Sequence, residues 1–275
     1  MVYMEFNIYQ KLLAVSLTIV LAGGLFCGGT THEPIRIDNT QGLTKENGLR
    51  GGSGTEENPY LIKNWEIDAS DSDYGLLLKD IEAHILINNV KISGAEIANL
   101  SLKNVSNAAI KRCQLTDSEN GLEIIAGKHT VISSNRVTSN KFGISIVNGS
   151  RATVEHNLVK SNKFGIYLES TELNQIAYNQ IEENSWNGIY IDSTSRTNTF
   201  HHNNFIGNQV APVRAENRLN NWNGKEAGNY WSDYSGKDSN GDGMGEHAYK
   251  IPSSHTKVYD YKPFMKPVPD TYGGS

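Results

Sequence analysis

The most regular feature of the chain is a short segment in which a small residue precedes two apolar residues that flank one variable position. In the middle of the chain these segments fall 22, 22 and 23 residues apart. Alternation with a period of two predicts β-strands, because successive strand side chains point to opposite faces. The segments begin at Gly75, Asn99, Gly121, Gly143, Gly165, Gly188 and Ala211.

Three further columns of residues keep the same period. The first is polar: Asn88, Cys113, Asn135, Asn157, Asn179 and Asn203. The second lies two residues later and is apolar: Val90, Leu115, Val137, Val159, Ile181 and Phe205. The third lies five residues after the first: Ser93, Ser118, Asn140, Asn162, Asn184 and Asn208. Several columns that share one period indicate a repeat architecture.

Three short strands and their turns fill a repeat of this length, whereas helical repeats would show apolar stripes at i, i+3 and i+4. The pattern therefore predicts an all-β solenoid, a parallel β-helix of about seven coils stacked roughly 4.8 Å apart. Residues one repeat apart, such as Ile144 and Ile166, should lie over each other. Asparagine suits the tight corners and can form amide ladders between coils, while Cys113 in such a column should be a buried structural thiol.

The repeats suggest how the chain is divided. We expect caps at both ends of the β-helix, because the ends of a solenoid are exposed sheet edges. The expected segments are an export signal or lipoprotein signal at 1–27, a linker at 28–47, the β-helix with its N-terminal cap at 48–216, a C-terminal cap at 217–267 and a frayed tail at 268–275.

The repeat at 135–146 reads Asn-Arg-Val-Thr-Ser-Asn-Lys-Phe-Gly-Ile-Ser-Ile and returns from Asn157. It resembles the NosD-like right-handed parallel β-helix proteins, which belong with the carbohydrate-binding and sugar-hydrolase (CASH) repeats. The flanking segments 52–67 and 228–264 are similar to archaeal secreted members of that group. The resemblance implies a right-handed, pectin-lyase-like solenoid. It also implies a possible accessory role in the maturation of a copper enzyme, although this fold hosts lyases, hydrolases and adhesins as well.

Composition excludes several classes of protein. Hydrophobic residues make up 37% of the chain and charged residues 20%, which argues against a disordered chain. The 25 Lys and Arg against 30 Asp and Glu give a net charge of −5 with no basic run, so we expect no nucleic-acid partner. Two cysteines cannot supply a disulfide framework.

The amino terminus is typical of an export signal. Lys11 precedes an apolar run at 12–22, which is shorter than a membrane-spanning helix. Cys27 follows small residues, as in lipoprotein signals where the cysteine is lipidated, although Phe26 departs from that pattern. The alternatives are a cleaved signal peptide and an uncleaved anchor. We expect a cell-surface or extracellular protein tethered to the membrane.

One loop resembles a calcium site. Oxygen ligands at alternate positions, with glycines that let a loop fold back, suit a hard cation. No glutamate stands at the twelfth position, where an EF-hand has one, because Tyr249 is there. The expected cofactor is a structural Ca²⁺, and the alternative is a polar turn without an ion. The expected ligands are Asp238, Asn240, Asp242, Met244 and Glu246.

The outward positions of two neighbouring repeats could bind or cleave a sugar. Tyr167 should lie beside Tyr190, and Glu169 beside Asp192, each about one strand spacing apart. Aromatic faces suit sugar rings, and carboxylates about 5 Å apart suit a retaining glycosidase. Tyrosines and acids on a solvated sheet face are also ordinary. The chain lacks the Asp-Asp, His-Gly and Arg-x-Lys motifs of polygalacturonase-like hydrolases.

The histidines do not suggest a copper site. His156 and His202 share a column but lie two repeats apart, and His201 and His202 should point to opposite faces of a strand. Copper is therefore not an expected cofactor. The sequence favours an exported, non-catalytic surface module that contacts glycans through Tyr167 and Tyr190. The alternatives are a polysaccharide lyase or glycoside hydrolase using Glu169 and Asp192, and a copper-enzyme accessory protein.

Overall fold

The computed structural model describes residues 29–252, 257–269 and 271–272. Three long sheets of parallel strands run through it. The exception is the third sheet, whose first two strands along the chain pair antiparallel. The first sheet contains β1 (Thr30–Thr31), β5 (Trp65–Asp68), β8 (Lys91–Ser93), β11 (Gln114–Thr116), β14 (Arg136–Thr138), β17 (Leu158–Lys160), β20 (Gln180–Glu182), β23 (Asn204–Ile206) and β25 (Tyr230–Trp231).

The other elements complete each turn of the solenoid. The second sheet contains β2 (Ile35–Ile37), β6 (Tyr74–Ile81), β9 (Ala98–Val105), β12 (Asn120–Ile125), β15 (Phe142–Val147), β18 (Phe164–Glu169), β21 (Asn187–Ile191) and β24 (Ala211–Ala215). The third sheet contains β3 (Leu49–Gly51), β4 (Tyr60–Lys63), β7 (Ile85–Asn88), β10 (Ala108–Lys111), β13 (Val131–Ser133), β16 (Thr153–Glu155), β19 (Gln175–Ala177) and β22 (Thr199–His201). A 3₁₀ helix (Thr40–Gly42) and the antiparallel pair β26 (Tyr249–Ile251) and β27 (Val258–Asp260) lie outside these sheets.

One strand from each sheet makes one coil, and about seven coils stack from β4 to β24. Ile144 pairs with Ile166, and Ile166 pairs with Ile189, in parallel register. All three side chains are fully buried between the sheets. The predicted parallel β-helix and its stacking are therefore confirmed, and the alternating strand pattern has placed the apolar rows in the interior.

Asparagine ladders join the coils at two corners, as the columns predict. Asn135, Asn157, Asn179 and Asn203 each donate through Nδ2 to the next Oδ1, and the ladder continues to Asn229. A second ladder runs through Asn140, Asn162, Asn184 and Asn208. The sequence analysis missed a third ladder, which consists of Asn174, Asn198 and Asn220.

The predicted columns are wrong in the first coils. Asn88 pairs with Lys111 and does not align with Cys113, and Ile92 rather than Val90 pairs with Leu115. Ser93 likewise pairs with Thr116 rather than Ser118. The reason is repeat length, because the offset between paired strands is 23 residues here and 22 in the next coils.

Glycine in the repeats is required by close packing. A Cβ at Gly165 would lie 2.4 Å from the carbonyl oxygen of Gly188 and 2.9 Å from the Asn184 side-chain nitrogen. Real Cβ atoms do not approach backbone oxygens so closely, so a side chain here would push two coils apart. The small residues at these positions thus allow the strands of the second sheet to pack closely against the second asparagine ladder.

The two ends of the solenoid are covered. Residues in the segment expected to be a linker form β1 and β2, and Ile35 and Ile37 are buried. At the other end Trp222 stacks on Phe200 with ring centroids 4.3 Å apart. In the segment expected to be a frayed tail, Val268 exchanges backbone–side chain hydrogen bonds with Asn204. The described residues of both segments named here therefore pack on the solenoid.

Cys113 lies 1% exposed in the core, and burial raises the pKa of its thiol to about 12. Its backbone N–H donates to the side chain of Asn135, so it occupies a ladder position. The predicted buried structural thiol is confirmed. Cys27 and the apolar run at 12–22 lie outside the described residues. No helix in the described part of the chain is long and apolar enough to cross a membrane.

Candidate functional site

The outer surface of the second sheet carries a cluster of aromatic rings on β15, β18, β21 and the turn before β21. We call it the aromatic face, and it consists of Phe142, Phe164, Tyr167, Trp186 and Tyr190. Tyr167 and Tyr190 are paired in register and stack with ring centroids 5.1 Å apart, as predicted. Phe142 and Phe164 stack at 5.2 Å, and the Phe142 ring meets that of Tyr167 edge to face at 5.0 Å, so the two stacked pairs lie side by side.

Sequence reasoning missed three members of this face. Phe142 and Phe164 come directly before Gly143 and Gly165, and Trp186 comes two residues before Gly188. The column that precedes the repeat glycine carries the signal that would have identified Phe142 and Phe164, whereas Trp186 stands one position before that column. Trp186 is 47% exposed, and its ring meets that of Phe164 edge to face at 5.2 Å. A large exposed ring beside other rings is unusual on a solvated sheet.

Lysines border the aromatic face at the starts of its strands. Lys163 lies 4.3 Å from the ring centroid of Trp186, and Lys141 lies 5.2 Å from that of Phe142. Lys141 also forms an ion pair with Glu119 at 2.7 Å. Ammonium groups over ring faces are attracted by the ring quadrupole and remain available as hydrogen-bond donors.

Acids border the opposite edge of the aromatic face. The hydroxyl of Tyr167 donates to Glu169 at 2.9 Å. Burial and this hydrogen bond both raise the pKa of Tyr167, so its hydroxyl stays protonated. The aromatic face is thus an apolar cluster of rings with hydrogen-bonding groups at both edges.

Asp192 is engaged in a turn. Its carboxylate accepts hydrogen bonds from the backbone N–H groups of Ser170 and Ser195 and from the hydroxyl of Thr194. Burial alone would raise the pKa of Asp192, but these hydrogen bonds outweigh it and hold the pKa below its usual value. An ionised carboxylate that caps a turn is poorly suited to donate a proton.

The loop expected to bind calcium closes on its own hydrogen bonds. Asp238 accepts from the backbone N–H groups of Gly241, Asp242 and Gly243 at 2.7 to 3.1 Å. Asp242 accepts from the N–H of Met244 at 2.8 Å, and Glu246 accepts from that of Ser239. Asn240 donates to Asp242, so the five predicted ligands belong to one exposed loop. Within the described ranges, no three His, Cys, Asp or Glu side chains form a group that could hold a metal ion.

The histidines are arranged differently from the prediction. His156, Tyr178 and His202 stack in one column as expected. The prediction that His201 and His202 point to opposite faces is wrong, because their Nδ1 atoms lie 2.9 Å apart. The strand ends at His201, and His202 has a φ of 56°, so the strict alternation of side chains stops there.

Comparison with known proteins gives one consistent family. The chain matches the family model described as "Periplasmic copper-binding protein (NosD)" over residues 42–159 and 82–236. It is 41% identical over 68 residues to the "Probable ABC transporter binding protein NosD" of Stutzerimonas stutzeri. That match covers 25% of this chain and 16% of the relative. The protein of the same description from Pseudomonas aeruginosa is 40% identical over 63 residues, which cover 23% of this chain and 15% of the relative.

The chain therefore matches less than a fifth of the length of these curated relatives. Among solved structures, two mutants of the periplasmic alginate epimerase AlgG are similar to it at 16% and 17% sequence identity. Their TM-scores are 0.39 and 0.35, and each match covers 76% of this chain and 75% of the other.

Proposed function

This chain belongs to the NosD family, and from that premise we propose that it is an exported β-helix protein that acts by binding, with carbohydrate as the ligand of its aromatic face. Export agrees with the family's description as periplasmic and with the signal-like amino terminus. Tethering through a lipid on Cys27 is part of the proposal.

The observation that carries the carbohydrate proposal is the cluster of five partly or fully exposed aromatic rings on one face of the second sheet. Sugar rings present apolar C–H faces that pack on aromatic rings, and their hydroxyls need donors and acceptors around the edge. Lys163 and Glu169 stand at the two edges of the face. The Tyr167 and Tyr190 rings lie in parallel planes, 8° apart in angle, and are stacked across two neighbouring coils, so a saccharide that follows the column can contact both.

A binding role is favoured over hydrolysis because of Asp192. A retaining glycosidase needs one carboxyl group that is protonated when the bond breaks. Asp192 is held ionised by the turn, and Glu169 already accepts a hydrogen bond from Tyr167. Release of reducing ends from a polysaccharide, lost in Glu169→Gln, would instead support the enzyme alternative.

Carbohydrate binding should depend on the aromatic face. Titration against soluble β-glucans, xylan, mannan and uronate polymers is expected to yield at least one ligand. The double variant Tyr167→Ala/Tyr190→Ala and the single variant Trp186→Ala should each weaken its binding about tenfold or more, since a lost ring contact of about 1.4 kcal/mol is a factor of ten. Isothermal titration calorimetry measures the effect.

The control for this test is Tyr261→Ala. Tyr261 is 66% exposed but lies in the C-terminal segment, away from the aromatic face, so its loss should leave binding unchanged. Absence of binding to every polymer, or equal weakening by the control, would contradict the carbohydrate proposal.

An accessory role in copper-enzyme maturation is the second candidate. The family description names copper, and the observation in this chain that favours it is the meeting of the His201 and His202 rings. The chain matches only a small part of the curated relatives, and their description as ABC transporter binding proteins applies to those proteins.

We also propose that the loop at 238–246 binds a structural calcium ion. Calcium at 100 times its dissociation constant should raise the free energy of unfolding by about 2.7 kcal/mol. Asp238→Ala should abolish this gain, since the Asp238 carboxylate organises three backbone N–H groups of the loop. Calorimetric melting with EGTA and with calcium measures it, with Asp71→Ala as the control. An unchanged melting temperature would overturn the assignment.

A further inference from the structure

The aromatic face continues past its rings as a single row of outward side chains on the second sheet. Parallel pairing sets one residue from each strand over the next, in the order Ser101, Glu123, Ser145, Tyr167 and Tyr190. We call these residues the outward row. Neighbouring members are one strand spacing apart, about 4.8 Å. The outward row therefore leads from the two tyrosines to Glu123 across four coils.

Ser145 is a low point in the outward row. Its neighbours in the row are Glu123 and Tyr167, and Phe142 and Val147 flank it on its own strand. All four of these side chains are larger than that of serine, so they rise above it. Ser145 is 5% exposed, and its hydroxyl has no hydrogen-bond partner in the described part of the chain. A sheltered hydroxyl without a protein partner is free to bind a ligand group.

The carboxylate of Glu123 keeps one oxygen free beside Ser145. Its Oε2 accepts a hydrogen bond from the Ser101 hydroxyl at 2.6 Å and lies 3.5 Å from the ammonium of Lys103. Its Oε1 has no hydrogen bond to any residue that the structure describes. Lys103 also donates to the hydroxyl of Tyr74 at 2.8 Å, so its position is fixed from two sides. An anchored acceptor oxygen therefore lies one coil away from Ser145.

Glu169 repeats this arrangement on the other side of Ser145. It pairs with Val147, on the strand that carries Ser145, and so lies one coil away in the opposite direction. Its Oε2 accepts from the hydroxyl of Tyr167 at 2.9 Å, whereas its Oε1 has no hydrogen bond within the described residues. Three successive coils thus each offer an acceptor. Sugar units follow one another at a similar interval along an extended oligosaccharide, so each coil can meet one unit.

The charges around the outward row favour a ligand without carboxylates. A uronate would bring its carboxylate close to those of Glu123 and Glu169, and like charges placed together oppose binding. Lys163 could balance such a charge, but its ammonium lies over the ring of Trp186 at the other edge of the aromatic face. A neutral sugar donates its hydroxyl protons to the same carboxylate oxygens. Other cations near the row are already in ion pairs: Lys103 with Glu123, Lys141 with Glu119, and Arg214 with Glu216.

We propose that the outward row binds a neutral oligosaccharide of at least three units, whose hydroxyls donate to Glu123, Ser145 and Glu169. The inference rests on the carbohydrate-binding function proposed above and gives that ligand its chemical class, direction and length. The sugar chain runs along the solenoid axis, across the strands, and continues from Ser145 onto the rings of Tyr167 and Tyr190.

Calorimetric titration of the unaltered chain tests the class and the length of the ligand. The probes are β-1,4-linked gluco-, manno- and xylo-oligosaccharides of two to six units, and oligogalacturonides of the same lengths. We expect at least one neutral series to bind, with affinity that rises about tenfold from two to four units and then levels, because four coils carry the row. Oligogalacturonides should bind at least about tenfold more weakly than that series.

Two variants test the acceptors. Glu123→Gln and Ser145→Ala should each weaken binding of the best neutral ligand about fivefold, as expected for the loss of one hydrogen bond. The matched control for the first is Glu66→Gln, which breaks a similar ion pair with Lys91 on the first sheet. The control for the second is Ser133→Ala, which removes a hydroxyl from the third sheet. Both controls should change binding by less than about twofold.

The outcomes separate this inference from the proposed function. Oligogalacturonides that bind as tightly as the neutral chains would overturn the inference, and so would binding that is unchanged in both Glu123→Gln and Ser145→Ala. Either result would leave the carbohydrate function standing if the double variant of Tyr167 and Tyr190 still weakened binding. Absence of binding to every sugar would overturn both.

Discussion

Replacing Asn157 with alanine is expected to lower the free energy of unfolding by about 3 to 5 kcal/mol. Asn157 is fully buried, and its side chain accepts from the N–H of Asn135 and donates to the carbonyls of Ile132 and Glu155. Alanine leaves the N–H of Asn135 without this acceptor and removes one donor from each carbonyl, although the carbonyl of Glu155 keeps the N–H of Ser134. It also removes the ladder bonds to the amides of Asn135 and Asn179, and each buried group left unsatisfied costs about 1 to 3 kcal/mol. Equilibrium urea unfolding, followed by circular dichroism, measures the loss.

The control for the ladder variant is Thr138→Ala on β14. Thr138 points outward and is not part of a ladder, so its replacement should change stability by less than about 0.5 kcal/mol. If the two variants had the same free energy of unfolding, the asparagine ladder would not stabilise the stacked coils and would only result from their stacking.

Replacing Asp260 with alanine is expected to release the C-terminal segment from the last coil at a similar cost of about 3 to 5 kcal/mol. Asp260 is completely buried and accepts hydrogen bonds from the backbone N–H groups of Asn229 and Lys262 and from the indole of Trp231. Those donors lose this acceptor at the point where residues 260–262 pack against residues 229–231. Hydrogen exchange should show faster exchange around Trp231, while Asp71→Ala should have no effect.

The pH dependence of stability provides a second test of Asp260. Burial raises the pKa of Asp260 to about 6, against the hydrogen bonds that lower it. Because the folded pKa exceeds the unfolded one, this contribution is complete below about pH 4 and is lost as the pH rises through 6. Relative to Asp260→Asn, the wild type should lose about 2.4 kcal/mol of unfolding free energy between pH 4 and 7. A constant difference between the two proteins across this range would contradict the assignment.

The sequence was sufficient for the stacked coils because the repeat specifies them redundantly. Ile144 and Ile166 belong to an apolar row, and Asn140 and Asn162 belong to a polar one, so two independent columns give the same register. The prediction was wrong at Asn88, Val90 and Ser93, because the spacing between paired residues changes there and all three columns are displaced together.

The candidate sites were harder to predict because they depend on departures from the repeat. Tyr167 and Tyr190 were identified because they obey strand alternation, whereas Trp186 lies in a turn whose position is set by one added residue. The contact of His201 with His202 depends on a positive φ at a single position. Strand alternation predicted that these two side chains point to opposite faces. The strand ends at His201, and the pattern of residue types does not specify that end.

The most direct test of a carbohydrate-binding face is the indole N–H resonance of Trp186 during a titration with a bound oligosaccharide. Trp65, Trp222 and Trp231 are buried, so Trp186 is the one tryptophan whose ring faces solvent among the described residues. Replacement by phenylalanine assigns its signal. We predict a saturable shift of that resonance with the other three unmoved. Saturated binding that leaves the Trp186 signal in place would mean that the sugar binds elsewhere on the molecule.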